Sequence, residues 1–176
     1  MILFAVMMAD TYYRHYDSPL GKVFLASDGE ALTGLWFEGR RHFTLLPEKR
    51  GEETILPVLE ETCRWLDTYF NGQVPDFTPA LRLQGSPFRR AVWQLLLEIP
   101  YGQTVSYGRL AARVARILGC GRMSAQAVGG AVGHNPVSLI VPCHRVIGTD
   151  GSLVGYAGGL ELKARLLSLE QKKIVG

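Results

Sequence analysis

Three short strand-like runs, Tyr12 to Tyr16, Lys22 to Ala26 and Leu32 to Phe37, lie close together at one end of this chain, and from residue 54 onward apolar residues recur mainly at helical spacing. Only Ser18-Pro19-Leu20-Gly21 and Asp28-Gly29 separate the runs, and both are turn chemistry. Connections that short join antiparallel neighbours and leave no room for a parallel crossover, so the runs form a meander. A small antiparallel sheet followed by helices is a mixed α/β chain of the α+β kind.

The helices can be placed from their caps and stripes. Leu56, Leu59, Cys63, Leu66 and Phe70 recur every three or four residues between Thr54, a capping residue, and the stop signal Asn71-Gly72, which predicts a helix with Cys63 in its core stripe. Pro75 to Pro79 reads as a linker, and Leu81-Arg82-Leu83 as a short strand. Ser86 and Pro87 then open a helix to Glu98, with Phe88, Val92, Leu95, Leu96 and Ile99 inward and Pro100-Tyr101-Gly102 as its break. Ser106 caps the next helix, with Tyr107, Leu110, Ala111, Val114 and Leu118 on its apolar face and Gly119-Cys120-Gly121 beyond it. A shorter helix from Ser124 to Val132 presents Ala127, Val128 and Ala131. The pair suggests a helix-turn-helix with a long turn. Gly129 and Gly130 inside its second helix each cost about 1 kcal/mol relative to alanine. Another surface approaching the helix backbone closely would account for them. A last helix carries Leu162, Leu166 and Leu169 on one face and Glu170 near its end.

Charge divides the chain at the same seam. Residues 1–85 hold eight Lys/Arg against twelve Asp/Glu, a balance of −4, and residues 86–176 hold eleven against four, a balance of +7. The expected organisation is therefore an N-terminal α/β domain over 1–85 and a C-terminal domain over 86–176, the second suited to a polyanion. The scattered cysteines Cys63, Cys120 and Cys143 form no Cys-x-x-Cys pair, which argues against a disulfide framework or a zinc knuckle and for a reduced, cytoplasmic setting. Met1 to Met8 is apolar but far shorter than the roughly 20 residues of a membrane span, and reads as an extended lead-in or an overlong start.

Chemistry concentrates at Pro142-Cys143-His144-Arg145, after the apolar run Leu139-Ile140-Val141. A cysteine beside a base and a cation can be an activated nucleophile or a buried cysteine beside a satisfied histidine. Its surroundings carry more: Asn135-Pro136 before it, then Val146, then Gly155-Tyr156-Ala157-Gly158-Gly159, then Glu170, with Ile99-Pro100-Tyr101-Gly102, Val105-Ser106-Tyr107 and Ala127-Val128-Gly129-Gly130-Ala131 upstream. This ordered set, over residues 86 to 170, resembles the O6-alkylguanine-DNA alkyltransferases.

The resemblance implies a ribonuclease H-like N-terminal domain and a winged helix-turn-helix-like C-terminal element. It implies a monomeric DNA repair protein that moves an alkyl group from O6-alkylguanine, and from O4-alkylthymine, irreversibly to its own cysteine with no cofactor or metal. Cys143 is then the acceptor, His144 draws its proton through a water, Glu170 orients His144, and Asn135 ties the second helix to a cysteine-bearing strand. Tyr107 crowds a phosphate and helps protonate the departing base. Val146, Tyr156, Ala157 and Gly158 would line the base pocket, since the nucleotide must leave the stack. Tyr107, Arg122, Ser124, Gln126, Ala127, Gly129, Gly130 and Arg145 would meet double-stranded DNA from the minor groove. Where the family pattern has an arginine that fills the gap left by the flipped base, this chain has Gln126. A non-catalytic helix-turn-helix lesion sensor and a cysteine hydrolase are the competing readings. Sensors lack the acceptor cysteine, and hydrolases usually bring distant cysteine and histidine together.

Overall fold

The computed structural model describes residues 11–39 and 54–172, so the apolar lead-in Met1 to Met8 lies outside the described residues. Strands β1 (Tyr12–Ser18), β2 (Gly21–Ser27) and β3 (Leu32–Phe37) form the expected antiparallel meander in that order. Central β2 is buried on both faces from Val23 to Ser27, which is why its apolar run is continuous rather than alternating. The turn before β3 is closed by Asp28 Oδ1, which accepts from the Glu30 and Ala31 amides, with Gly29 at φ 102°.

Helix α1 (Pro57–Phe70) begins three residues after Thr54, a correction to the expected cap. Pro57 disfavours helical geometry at the residue before it, and Leu56 is accordingly extended at φ −126°, ψ 146°. The buried face is Val58, Leu59, Thr62, Trp65, Leu66 and Tyr69, while Leu56, Cys63 and Phe70 pack only at its margin. The larger surfaces of Trp65 and Tyr69 turn the helix slightly from the stripe that Cys63 suggested. Leu81 makes a single bridge to Leu32 instead of a strand.

Helix α2 (Pro87–Leu97) starts at Ser86, whose side chain accepts from the Arg89 amide, and α3 (Tyr107–Ile117) starts at Ser106 in the same way. Leu118, expected on the inner face of α3, is the C-cap and is exposed, because the helix has ended before Gly119 turns the chain at φ 65°. Helix α4 (Ala125–Gly133) follows Ser124. It packs on α2 through Val128, Ala131 and Val132, and the Trp93 indole donates to the Ala131 carbonyl at 2.8 Å. Two-residue strands β4 (Val105–Ser106) and β5 (Val146–Ile147) pair in parallel, and α5 (Leu160–Gln171) is the last described element. Among the described residues no longer strand pair stands beside α3 and α4 to serve as a wing.

The outer edge of β3 joins the two halves. Leu35 donates to the Pro136 carbonyl at 2.9 Å and accepts from the Ser138 amide at 3.0 Å, while Leu32 exchanges the same pair of bonds with Ala80 and Arg82. An edge that would otherwise be open is thus covered by the segment that leads to Cys143. No described helix is long and apolar enough to cross a membrane.

Candidate active site

Cys143 is presented by a run of tight turns between α4 and β5. Asn135 anchors the run: its Nδ2 donates to the Val141 carbonyl at 2.7 Å and its Oδ1 accepts from the Val137 amide at 3.0 Å. Within the loop so closed, buried Leu139 sits at φ 67°, a left-handed conformation that branched side chains rarely adopt. Asn135 makes hydrogen bonds of the kind expected of a hinge, but the cysteine is not on a strand. Cys143 begins a 3₁₀ turn (Cys143–Arg145), because the amides of Ile140 and Cys143 already bond two residues back and leave no extended ladder.

Behind Cys143 the carboxylate of Glu170 gathers five hydrogen bonds. Oε1 accepts from His144 Nε2 at 2.6 Å, the Tyr69 hydroxyl at 2.8 Å and Arg145 Nη2 at 3.0 Å. Oε2 accepts from Arg145 Nε at 2.9 Å and the Gly102 amide at 3.0 Å. Burial alone would raise this carboxyl, but the hydrogen bonds from His144 and Arg145 and the Arg145 charge hold it at about 2. An ionised carboxylate can only accept, so Nε2 of His144 carries the proton and Nδ1 keeps its lone pair. Nδ1 is buried and makes no hydrogen bond to the protein. Burial lowers the imidazole and raises the Cys143 thiol, although Asn135 and Lys163 pull the thiol back down. The resting pair is therefore a thiol beside a neutral base, rather than a standing thiolate.

Arg145 is placed differently from expectation. Its guanidinium is buried, bound to both Glu170 oxygens and, through Nη1, to the Ile99 carbonyl at 2.7 Å, and it lies over the Tyr101 ring. It is turned away from solvent and so is not a phosphate contact.

Tyr107, directly after β4, stands where α3, α4, α5 and the loop before α5 meet. Its hydroxyl donates to the Gly155 carbonyl at 3.0 Å and the Val154 carbonyl at 3.3 Å, and burial pushes it up to about 12, so it keeps its proton. Lys163 Nζ donates to the carbonyls of Val146 and Val154 and lies 5.8 Å from the Tyr107 ring centre, and burial lowers it to about 8. The Val146 side chain is in the core, so a ligand could meet its backbone only. A Cβ on Gly158 would stand 2.6 Å from Tyr156 and 2.9 Å from Leu162, so any larger residue here would displace those side chains, and Tyr156 and Ala157 are half-buried at the loop.

The outward face of α4 carries Gln126, Ala127 and Gly130, with Arg122 and Ser124 exposed just before it. The Ser124 oxygen is occupied in capping, accepting from the Ala127 amide at 2.9 Å. A Cβ on Gly130 would meet nothing within 4 Å and one on Gly129 only the Tyr107 ring at 3.7 Å. Packing inside the protein does not require these helix glycines, which leaves an external surface as their reason.

Sequence reasoning did not single out Tyr69, Lys163 or the inward role of Arg145. Lys163 shares the buried face of Leu166, Leu167 and Glu170 at helical spacing, and a full count of that face would have found it. Tyr69 lies seven residues beyond Thr62 on α1 and needed the true face of that helix.

Comparison with known proteins bears on this geometry. Residues 87–172 match the family described as 6-O-methylguanine DNA methyltransferase, DNA binding domain, and residues 11–83 match 6-O-methylguanine DNA methyltransferase, ribonuclease-like domain. The chain is 41% identical over 165 residues to a methylated-DNA–protein-cysteine methyltransferase of Haemophilus influenzae, covering 93% of this chain and 88% of that one. It is 39% identical to one of Methanosarcina acetivorans, covering 90% and 97%. A crystal structure of Mycobacterium tuberculosis OGT in complex with DNA superposes with a TM-score of 0.77 at 41% identity, covering 92% of this chain and 94% of that one.

Proposed function

This chain belongs to the 6-O-methylguanine DNA methyltransferase family, and we propose that it repairs DNA by moving the alkyl group of O6-alkylguanine, or of O4-alkylthymine, onto Cys143. The observation that carries the reading is the buried His144–Glu170 pair directly after Cys143 in the chain, with Nε2 of the imidazole fixed as donor and Nδ1 left as the base.

The steps balance within the site. His144 Nδ1 takes the thiol proton through a water, and the imidazolium that forms is stabilised by Glu170 as in a hydrolase triad. The sulfur attacks the alkyl carbon, an S–C bond forms, and the O6–C bond breaks with its electron pair left on the purine. The departing guanine anion is neutralised by the proton that His144 gained. Tyr107, which stays protonated, contributes a hydrogen bond rather than the net proton. A thioether has no good leaving group, so each chain acts once. Asn135 and strained Leu139 hold the sulfur in place, and Tyr156, Ala157 and Gly158 close the pocket around the rotated base.

The bare outer face of α4 suits the minor groove of double-stranded DNA, with Ala127, Gly129 and Gly130 allowing close approach, Gln126 entering the stack and Arg122 at a phosphate. The division into domains over 1–85 and 86–176, action as a monomer and a cytoplasmic setting belong to the same reading. Incubation with duplex DNA carrying labelled O6-methylguanine, followed by peptide mass spectrometry, should place one alkyl group on Cys143 and none after Cys143→Ala. Repeated turnover, or label on Cys63 or Cys120, overturns the proposal.

A further inference from the structure

Among the described residues, a polar side chain of the N-terminal half reaches the reacting centre. Tyr69, in the last turn of α1, is fully buried, and its hydroxyl lies 2.8 Å from Glu170 Oε1 and 3.5 Å from His144 Nε2. Its ring is fixed by neighbours on several sides: Trp65 stacks on it at 5.3 Å, and Phe70 and Tyr101 meet it edge to face at 5.3 and 5.8 Å. Of the five donors to Glu170, the other four come from the segment between Gly102 and Arg145.

We propose that Tyr69 is a positioning residue for alkyl transfer, whose hydroxyl pins Glu170 Oε1 so that the carboxylate holds His144 with Nδ1 turned toward the thiol. The proposal rests on the function proposed above and adds to it that the N-terminal half helps set the reactivity of the base. Oε1 divides its charge among three donors, and removal of one leaves more of that charge for the His144 Nε2–H. The imidazolium is then favoured and His144 becomes more basic. The groups facing His144 are Glu170 and Lys163 of α5, Arg145 of its own turn, and Tyr69. Tyr69 itself stays protonated throughout, because burial and Glu170 raise it well above its ordinary value, so it acts as a constant donor.

Tyr69→Phe removes the hydroxyl and keeps the ring. Two measurements separate this role from packing. In single-turnover transfer from O6-methylguanine DNA, the acid limb of the pH–rate profile should move upward by about one unit. In nuclear magnetic resonance of isotope-labelled histidine, with the His144 signal assigned by its loss in His144→Asn, the titration of that ring should move upward to match. The second measurement needs no alkyl transfer. A wild-type chain that fails to transfer thus refutes the proposed function while the Tyr69 inference is still decided. Phe70→Leu disturbs the same aromatic cluster without touching the hydroxyl and should leave both readouts in place while lowering the melting temperature. An unmoved His144 titration in Tyr69→Phe, or an equal shift in Phe70→Leu, overturns the inference.

Discussion

Glu170→Gln tests the centre of the site through stability alone, before any substrate is added. The wild-type carboxyl is held at about 2 against an ordinary 4.5. A gap of about 2.5 units at about 1.4 kcal/mol each amounts to about 3 kcal/mol. Because the folded value is the lower one, this stabilisation is fully present above pH 4.5 and is lost as pH falls toward 2. An independent estimate comes from the partner. The amide leaves the buried Arg145 guanidinium without its counter-charge, and removing one member of a buried pair costs about 3–5 kcal/mol. Chemical unfolding at pH 7 should therefore find Glu170→Gln about 3 kcal/mol less stable than wild type. The difference should shrink between pH 4.5 and 2 as the wild type is protonated, since the remaining carboxyls titrate alike in both proteins. A variant within about 1 kcal/mol of wild type at pH 7, or two pH curves that run parallel, would refute the claim that this carboxylate is ionised and carries the pair.

Three further substitutions probe the walls and the outer face. Tyr107→Phe removes the donor to the Val154 and Gly155 carbonyls and should slow single-turnover transfer about two- to tenfold while sparing most DNA binding; a wild-type rate would remove the hydroxyl from the mechanism. Gly158→Ala should lower the unfolding free energy by about 1–3 kcal/mol, because the new methyl group meets Tyr156 and Leu162 below contact distance, and an unchanged denaturation midpoint would show that the loop yields freely. Gln126→Ala should slow transfer from duplex DNA but not from free O6-benzylguanine, and Gln126→Arg should preserve or improve the duplex reaction; equal effects on both substrates would rule out a gap-filling role.

The sequence was legible where local chemistry decides conformation. Ser86, Ser106 and Ser124 each cap the helix that their position announces, and the turns between the three strands occur where glycine and proline placed them. The order of motifs also linked His144 to Glu170 before their hydrogen bond was known. What stayed hidden depends on packing between distant segments. The inward turn of Arg145 follows from a carboxylate 25 residues away, and Tyr69 meets a partner 101 residues away. Neither distance leaves a periodic trace. The turn geometry at Cys143 was equally unreadable, since Leu139-Ile140-Val141 has the composition of a buried strand and is bent only by the Asn135 side chain and the left-handed Leu139.

The covered edge of β3 makes the integrity of the chain a question of association. Leu35 exchanges two backbone bonds with Pro136 and Ser138, and Tyr69 crosses the same seam to Glu170. A protease cut near Gly85 would break one covalent bond and none of these contacts. The two fragments would then hold together as a complex with its own dissociation constant. Repair capacity after such a nick would depend on fragment concentration, and diluting the mixture would switch it off without changing a residue at the reacting centre.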